Sequence, residues 1–193
     1  GFFIAMSSAS KNLSQPEGTP VPDARPYKFG IVCSEWNSEV TGKLKEGAVQ
    51  RLIKAGALEA NIKTSYVPGS FELTLGAQYL AEKGEVDAII CLGCVIQGET
   101  RHFDFICDAV ANGITQLNIK YNLPVIFGVL TPDNQQQALD RAWLELRDAR
   151  WLGHRTTAVR QCACRREPEQ RQQDHRRAHH WGRSARMRRS QRA

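Results

Sequence analysis

The run Glu99-Thr100-Arg101-His102 gathers a carboxylate, a hydroxyl, a guanidinium and an imidazole within four consecutive residues. Imidazole is the side chain whose ordinary titration range spans neutrality, so His102 is a candidate for moving a proton. What surrounds the run decides what that proton could serve. Val86 to Ile96 is an almost unbroken apolar stretch, which reads as a strand buried on both faces of a parallel sheet. Gln97-Gly98 interrupts it, and Phe103, Ile106, Cys107, Val110 and Ile114 then recur at helical spacing. The corner thus joins the carboxyl end of a buried strand to the amino end of a helix. Unpaired backbone N–H groups and the helix dipole make such a corner an anion site. A small anionic ligand, a phosphate first of all, is the expected occupant.

A site at this corner needs neighbours, and the rest of the chain supplies them in order. Lys28 to Ser34 reads as a strand leaving through Glu35-Trp36-Asn37. Val40, Leu44, Ala48, Leu52 and Ala55 then trace a helix stopped by Gly56. Ile62 to Val67 is a second strand, ended by Pro68-Gly69. Ser70 is the expected N-cap of the next helix, with Glu72 in its first turn, where a carboxylate suits the dipole. Leu73, Ala77, Leu80 and Ala81 continue its buried face to Gly84. The helix after the central strand runs to about Tyr121, and Leu123 to Leu130 makes a fourth strand. Thr131-Pro132-Asp133 is the expected cap of a helix containing Ala138, Leu139 and Ala142. Four strand–helix alternations predict an α/β fold, a four-stranded parallel sheet with helices on both faces. Ligands of such sheets sit beyond the carboxyl ends of the strands. Trp36-Asn37, Gly69 to Glu72, Val95 to His102 and Phe127 to Thr131 all fall at or near those ends.

With 193 residues and a hydrophobic share of 41%, the chain can build one core. No apolar run reaches the roughly 18 residues of a membrane span, and Gly1 to Met6 lacks the basic start of a secretory signal. Met6 reads as the start, and a cytoplasmic location is expected. The net charge of +6 is uneven: residues 150–193 hold thirteen Arg against three acids, leaving thirteen basic and seventeen acidic residues before them. Basicity is therefore not how the globular part finds partners. Cys33, Cys91, Cys94 and Cys107 fall in expected strands or a helix, where free Cys acts as a small core hydrophobe. Cys91 and Cys94, three apart on one strand, point to opposite faces and do not share a metal. Cys162 and Cys164 with His175, His179 and His180 could be drawn as a zinc site, but C-x-C is a poor spacing for one.

Together the loops resemble the 6,7-dimethyl-8-ribityllumazine synthases, the penultimate enzymes of riboflavin synthesis. The matching pieces are F-G-I-V-C-S-E-W-N (29 to 37), V-P-G-S-F-E-L (67 to 73), G-C-V-I-Q-G-E-T-R-H-F-D (93 to 104), P-V-I-F-G-V-L-T (124 to 131) and Q-A-L-D-R-A (137 to 142). The resemblance implies a three-layer α/β/α, flavodoxin-like domain. It also implies condensation of 5-amino-6-(D-ribitylamino)uracil with 3,4-dihydroxy-2-butanone 4-phosphate, releasing phosphate and water without metal or cofactor. By resemblance Trp36 stacks on the pyrimidine with Asn37 beside it, and Ser70, Phe71 and Glu72 hold the ribityl chain. Cys94, Val95 and Ile96 contact the pyrimidine edge through main chain. Glu99, Thr100 and Arg141 take the phosphate, and His102 transfers protons. Phe127 is expected to complete a neighbouring subunit's pocket, so the enzyme is at least a pentamer; some relatives close pentamers into a hollow icosahedral shell. Taken singly, Trp36 and Phe127 are packing residues, His102 an unremarked histidine, Glu72 a dipole partner, Arg141 a helix-face cation and Cys94 to Ile96 strand core. Their joint placement at strand exits favours a site.

The resemblance stops near residue 142, which divides the chain into an arm (1–26), an α/β domain (27–142) and an Arg-rich tail (143–193). The family's glycine-rich loop, lysine and final helix have no counterpart, and no lysine follows Lys120. An out-of-frame reading of a GC-rich gene gives such Arg- and Ala-rich text; 143–152 is open to helix and the rest is expected to be disordered. The rival is a real arm for nucleic acid, binding by phosphate neutralisation. Two other functions compete with the enzyme: a catalytically impaired homologue serving as an assembly or ligand-binding scaffold, and a generic flavin or nucleotide binder. Glu35-Trp36-Asn37-Ser38 lacks the Ser/Thr/Gly-rich first loop that the last would favour.

Overall fold

Each apolar run is followed by an amphipathic helix long enough to return the chain to the same end of the sheet, so all four strands run parallel. The computed structural model describes residues 23–148, with side chains through Trp143. The order is β1 (Phe29–Ser34), α1 (Ser38–Lys54), a 3₁₀ turn (Glu59–Asn61), β2 (Ile62–Val67), α2 (Leu73–Lys83), β3 (Ala88–Cys94), α3 (His102–Tyr121), β4 (Val125–Leu130) and α4 (Gln135–Asp148). Across the sheet the strands stand β2-β1-β3-β4, every pair parallel. The strand order reverses direction between β1 and β3, the place where open α/β sheets bind ligands. The three-layer, flavodoxin-like architecture expected from the sequence is what forms.

Alternation along β1 and β3 divides the core in two. Phe29, Ile31, Cys33, Ala88, Ile90, Leu92 and Cys94 pack with Val40, Leu44 and Ala48 of α1 and Ala138 and Ala142 of α4. Val32, Ile89 and Cys91 face Leu73 and Ala77 of α2 and Val110, Ile114 and Leu117 of α3. Cys91 and Cys94 thus lie on opposite faces, as a three-residue step along a strand requires. Burial pushes the Cys91 thiol up to about 12 and the Cys94 thiol up to about 11. An unfolded thiol ionises near pH 8.5, so stability is intact below that value and is lost as pH rises toward 11 and 12. Cys91→Ala is expected to flatten the fall in urea midpoint between about pH 9 and 11, an effect that equilibrium unfolding across that range would measure.

At the open edge of the sheet, Asn118 of α3 pairs with the first residue of β4. The Val125 N–H donates to Asn118 Oδ1 (2.8 Å), and Asn118 Nδ2 donates to the carbonyls of Val125 (2.9 Å) and Ile114 (2.8 Å). Asn118→Leu would strand a buried backbone N–H and is expected to cost roughly 1–3 kcal/mol in urea unfolding.

One boundary differs from expectation, and a helix end left open in the sequence is drawn. Ala24, placed in a flexible arm, is buried, because its N–H donates to the Ala55 carbonyl at the end of α1 (2.8 Å). Helix α4 continues through Asp148, past residue 142. The remaining expectations for the arm, and those for the Arg-rich segment with Cys162, Cys164 and its histidines, lie outside the described residues. Among the described residues no helix is long and apolar enough to cross a membrane.

Candidate active site

The sheet's hydrogen bonding continues into the loops at its carboxyl end and draws them together. Glu35 N–H donates to the Val67 carbonyl (2.8 Å) and Trp36 N–H to that of Pro68 (3.0 Å). On the other side Val95 N–H donates to Leu130 (2.9 Å) and Gln97 N–H to Pro132 (3.0 Å). Across the β1–β3 switch point, Asn37 Nδ2 donates to the Cys94 carbonyl (3.0 Å). Asn37 has left-handed backbone (φ 57°), which asparagine tolerates better than most residues.

Trp36 is 70% exposed, yet its ring edge lies 3.1 Å from where a Gly69 Cβ would stand. A bare glycine lets the indole lie against the loop while much of its surface stays open to a planar ligand. Phe71 is exposed beside it. Ser70 does not cap α2. Its carbonyl accepts the Leu73 N–H (3.2 Å), and its buried hydroxyl has no partner among the described residues. Glu72 turns back instead, its Oε2 accepting the Gly69 N–H (2.9 Å). One carboxylate oxygen therefore fixes the loop and the other is left for a ligand.

The side chains of Val95 and Ile96 pack toward opposite cores, so what this segment offers a ligand is main chain. Among the described residues, the Ile96 N–H donates to no backbone group. By strand alternation it points to the same side as the Cys94 carbonyl, toward Trp36 and Asn37. On the opposite side the parallel ladder would next use the N–H of residue 132 for the Val95 carbonyl. That residue is Pro132, which has none.

Glu99, Thr100, Arg101 and His102 are all exposed, and His102 is the first residue of α3. No side chain caps this helix. Arg101 lies 3.7 Å from Asp104 and over the Phe105 ring, turned to its own helix. Helix α4 is closed, by contrast: Gln137 N–H donates to Asn134 Oδ1 (3.0 Å) and Asp133 N–H to Gln137 Oε1 (3.0 Å). Asn134 thus takes the capping role expected of Thr131-Pro132-Asp133, its short amide side chain reaching the third helical N–H. The α1 terminus also lacks a side-chain cap, since the Asn37 amide is directed to Cys94. The α3 terminus, though its Asp104 N–H donates to the Arg101 carbonyl (3.1 Å), has no side chain on its first N–H groups, the arrangement in which helix starts accept anions.

Arg141 is exposed on α4 and has no ion-pair partner among the described residues. Lys43 of α1 lies 4.9 Å over the ring of Trp143, fixing α4 beside α1. Phe127 is not at a strand exit. It is the third residue of β4, opposite Cys91, and packs partly buried toward α2 and α3. The candidates from Trp36 to His102 lie on loops at one end of the sheet, while Phe127 lies along its edge and Arg141 stands two turns into α4. Sequence reasoning placed Gly69 in a strand-exit loop and Pro132 in a helix cap without giving either this role, and gave Ser34 and Gly93 no site role; Pro132 carried a readable signal, its missing donor. Among the described residues no three His, Cys, Asp or Glu side chains are grouped for a metal.

Comparison with known proteins shows the family. A family model described as 6,7-dimethyl-8-ribityllumazine synthase matches residues 26–163. A protein of that name from Cytophaga hutchinsonii is 64% identical over 137 residues, covering 71% of this chain and 86% of the relative. One from Parabacteroides distasonis is 53% identical over 137 residues, with the same shares covered. One from Bacteroides fragilis is 54% identical over 115 residues, covering 60% of this chain and 80% of the relative.

Proposed function

The chain belongs to the 6,7-dimethyl-8-ribityllumazine synthase family, and we propose that the loops at the carboxyl end of its sheet carry out that family's condensation. The single observation that carries the reading is the uncapped amino end of α3 beside His102, across the switch point from an exposed Trp36. In this reading the pyrimidine of 5-amino-6-(D-ribitylamino)uracil lies on Trp36, its edge reaching the free Ile96 N–H. The ribityl chain runs along Ser70, Phe71 and the unused oxygen of Glu72. The phosphate of 3,4-dihydroxy-2-butanone 4-phosphate takes the N–H groups at Thr100 and the α3 terminus, with Arg141 as counter-charge and Glu99 contributing main chain.

The amine adds to the ketone and loses water to form an imine, phosphate departs by elimination into the donor-rich corner, and ring closure on the second nitrogen releases a second water. His102 carries the protons these steps exchange. Holding two reactants in one crevice supplies much of the acceleration, since it replaces a bimolecular encounter. Enzyme mixed with both substrates is expected to produce lumazine absorbance and fluorescence above the uncatalysed rate. No product from correctly assembled protein would favour a scaffold.

Self-association as a pentamer or a multiple of one follows from the same reading. Leu75 and Tyr79, four residues apart along α2, are exposed, as are Phe71 just before that helix and Phe105 on α3. Such surface is usually covered by another chain. Phe127 on the sheet edge is then available to a neighbour's pocket. The buried free cysteines suit the reducing cytoplasm, where we place the enzyme.

A further inference from the structure

Ser34 closes β1 with its side chain toward α2 and α3, since Cys33 faces the other core and Val32 this one. Cys33 stands opposite Leu92, so Ser34 and Gly93 come next to one another on the same side of the sheet. Val67 flanks Ser34 on its other side. A Cβ on Gly93 would stand 2.6 Å from the Ser70 hydroxyl, so Ser70 reaches this glycine from α2's side while Ser34 stands next to it in the sheet register. Ser34 is 1% exposed and Ser70 5%. Neither hydroxyl has a partner among the described residues. Buried hydroxyls are costly unless paired, and alanine at either position would avoid that cost.

We propose that Ser34 and Ser70 work as a coupled hydroxyl pair in which Ser34 is a positioning residue for the polyol end of the substrate. A serine hydroxyl donates one hydrogen and accepts with two lone pairs. When one bridging water joins the two hydroxyls, Ser34 fixes which way the Ser70 hydroxyl points. The partner such a pair suits is a chain of alcohols, each of which also gives and takes hydrogen bonds. A phosphate would have no use for it and is provided for at α3. The inference rests on the proposed condensation, and within it adds a residue on β1 that touches no substrate itself.

Steady-state kinetics on full-length wild type, Ser34→Ala, Ser70→Ala and the double variant test it. Ser34→Ala is expected to raise KM for the ribitylaminouracil roughly 3–10-fold, the scale of one neutral hydrogen bond. It should leave kcat and KM for the butanone phosphate unchanged, a split that general loosening of the fold would not give. The double variant is expected to be no worse than the weaker single one, because the pair acts as a unit. An unchanged KM in Ser34→Ala, or single effects that multiply in the double, overturns the proposal. Ser34→Gly carries the same comparison if Ser34→Ala assembles poorly by light scattering. A wild type that forms no lumazine overturns the functional reading and this inference with it; an active wild type with an indifferent Ser34 overturns this inference alone.

Discussion

Arg141→Ala is expected to raise KM for 3,4-dihydroxy-2-butanone 4-phosphate about 100-fold, while KM for the aminouracil stays within about twofold. Charge-assisted hydrogen bonds contribute roughly 1.5–3 kcal/mol each, and a guanidinium can offer two to one phosphate. Solvent screening at this exposed residue trims the sum toward about 3 kcal/mol, which is about 100-fold. No other described cation of α4 stands in for it, and no lysine follows Lys120 in the chain. Arg141→Lys should recover part of the loss, since an ammonium keeps the charge and gives up the fork. Initial rates with each substrate varied in turn decide the matter. An equal rise in both KM values would point to a disturbed α4.

His102→Ala is expected to lower kcat about 100-fold with little change in either KM. Positioned acid–base groups contribute about 10²–10⁴-fold. The low end applies because His102 is exposed on the first turn of α3, where water can take over part of its task. His102→Gln keeps hydrogen-bonding capacity without the titration and should be nearly as slow. Single-turnover measurements on the preformed ternary complex isolate the step. A kcat that survives both substitutions removes His102 from the mechanism while leaving the phosphate corner intact.

The fold was legible because β1, β3 and β4 each announce themselves as a compact apolar run, the mixed β2 is marked off by Pro68-Gly69, and every return helix shows a helical period. Val86 to Ile96 shows how far such reading reaches. Its apolar text continues to Ile96, but pairing as a strand stops at Cys94, where Asn37 takes the carbonyl. That bond joins residues far apart in sequence, and no local pattern foretells it. Capping was misjudged at Ser70 and at Thr131-Pro132-Asp133 for a related reason. Several residues near a helix start can cap it, and loop geometry chooses among them: Glu72 holds Gly69, and Asn134 holds Gln137. The resemblance named the site residue by residue, yet Phe127 shows that sharing a motif with a strand exit is not the same as lying there. Ser34 was hidden altogether, because a serine ending an apolar strand looks like any strand terminus until its neighbour Gly93 and the unpaired hydroxyl are seen.

A crystal of the protein grown or soaked with inorganic orthophosphate tests the central claim most directly. Density for the anion is expected at the amino end of α3, within hydrogen-bonding distance of the Thr100 hydroxyl and backbone N–H groups, with Arg141 turned toward it and His102 alongside. An α3 terminus that stays empty at saturating phosphate, or an anion held elsewhere on the subunit, would contradict the account.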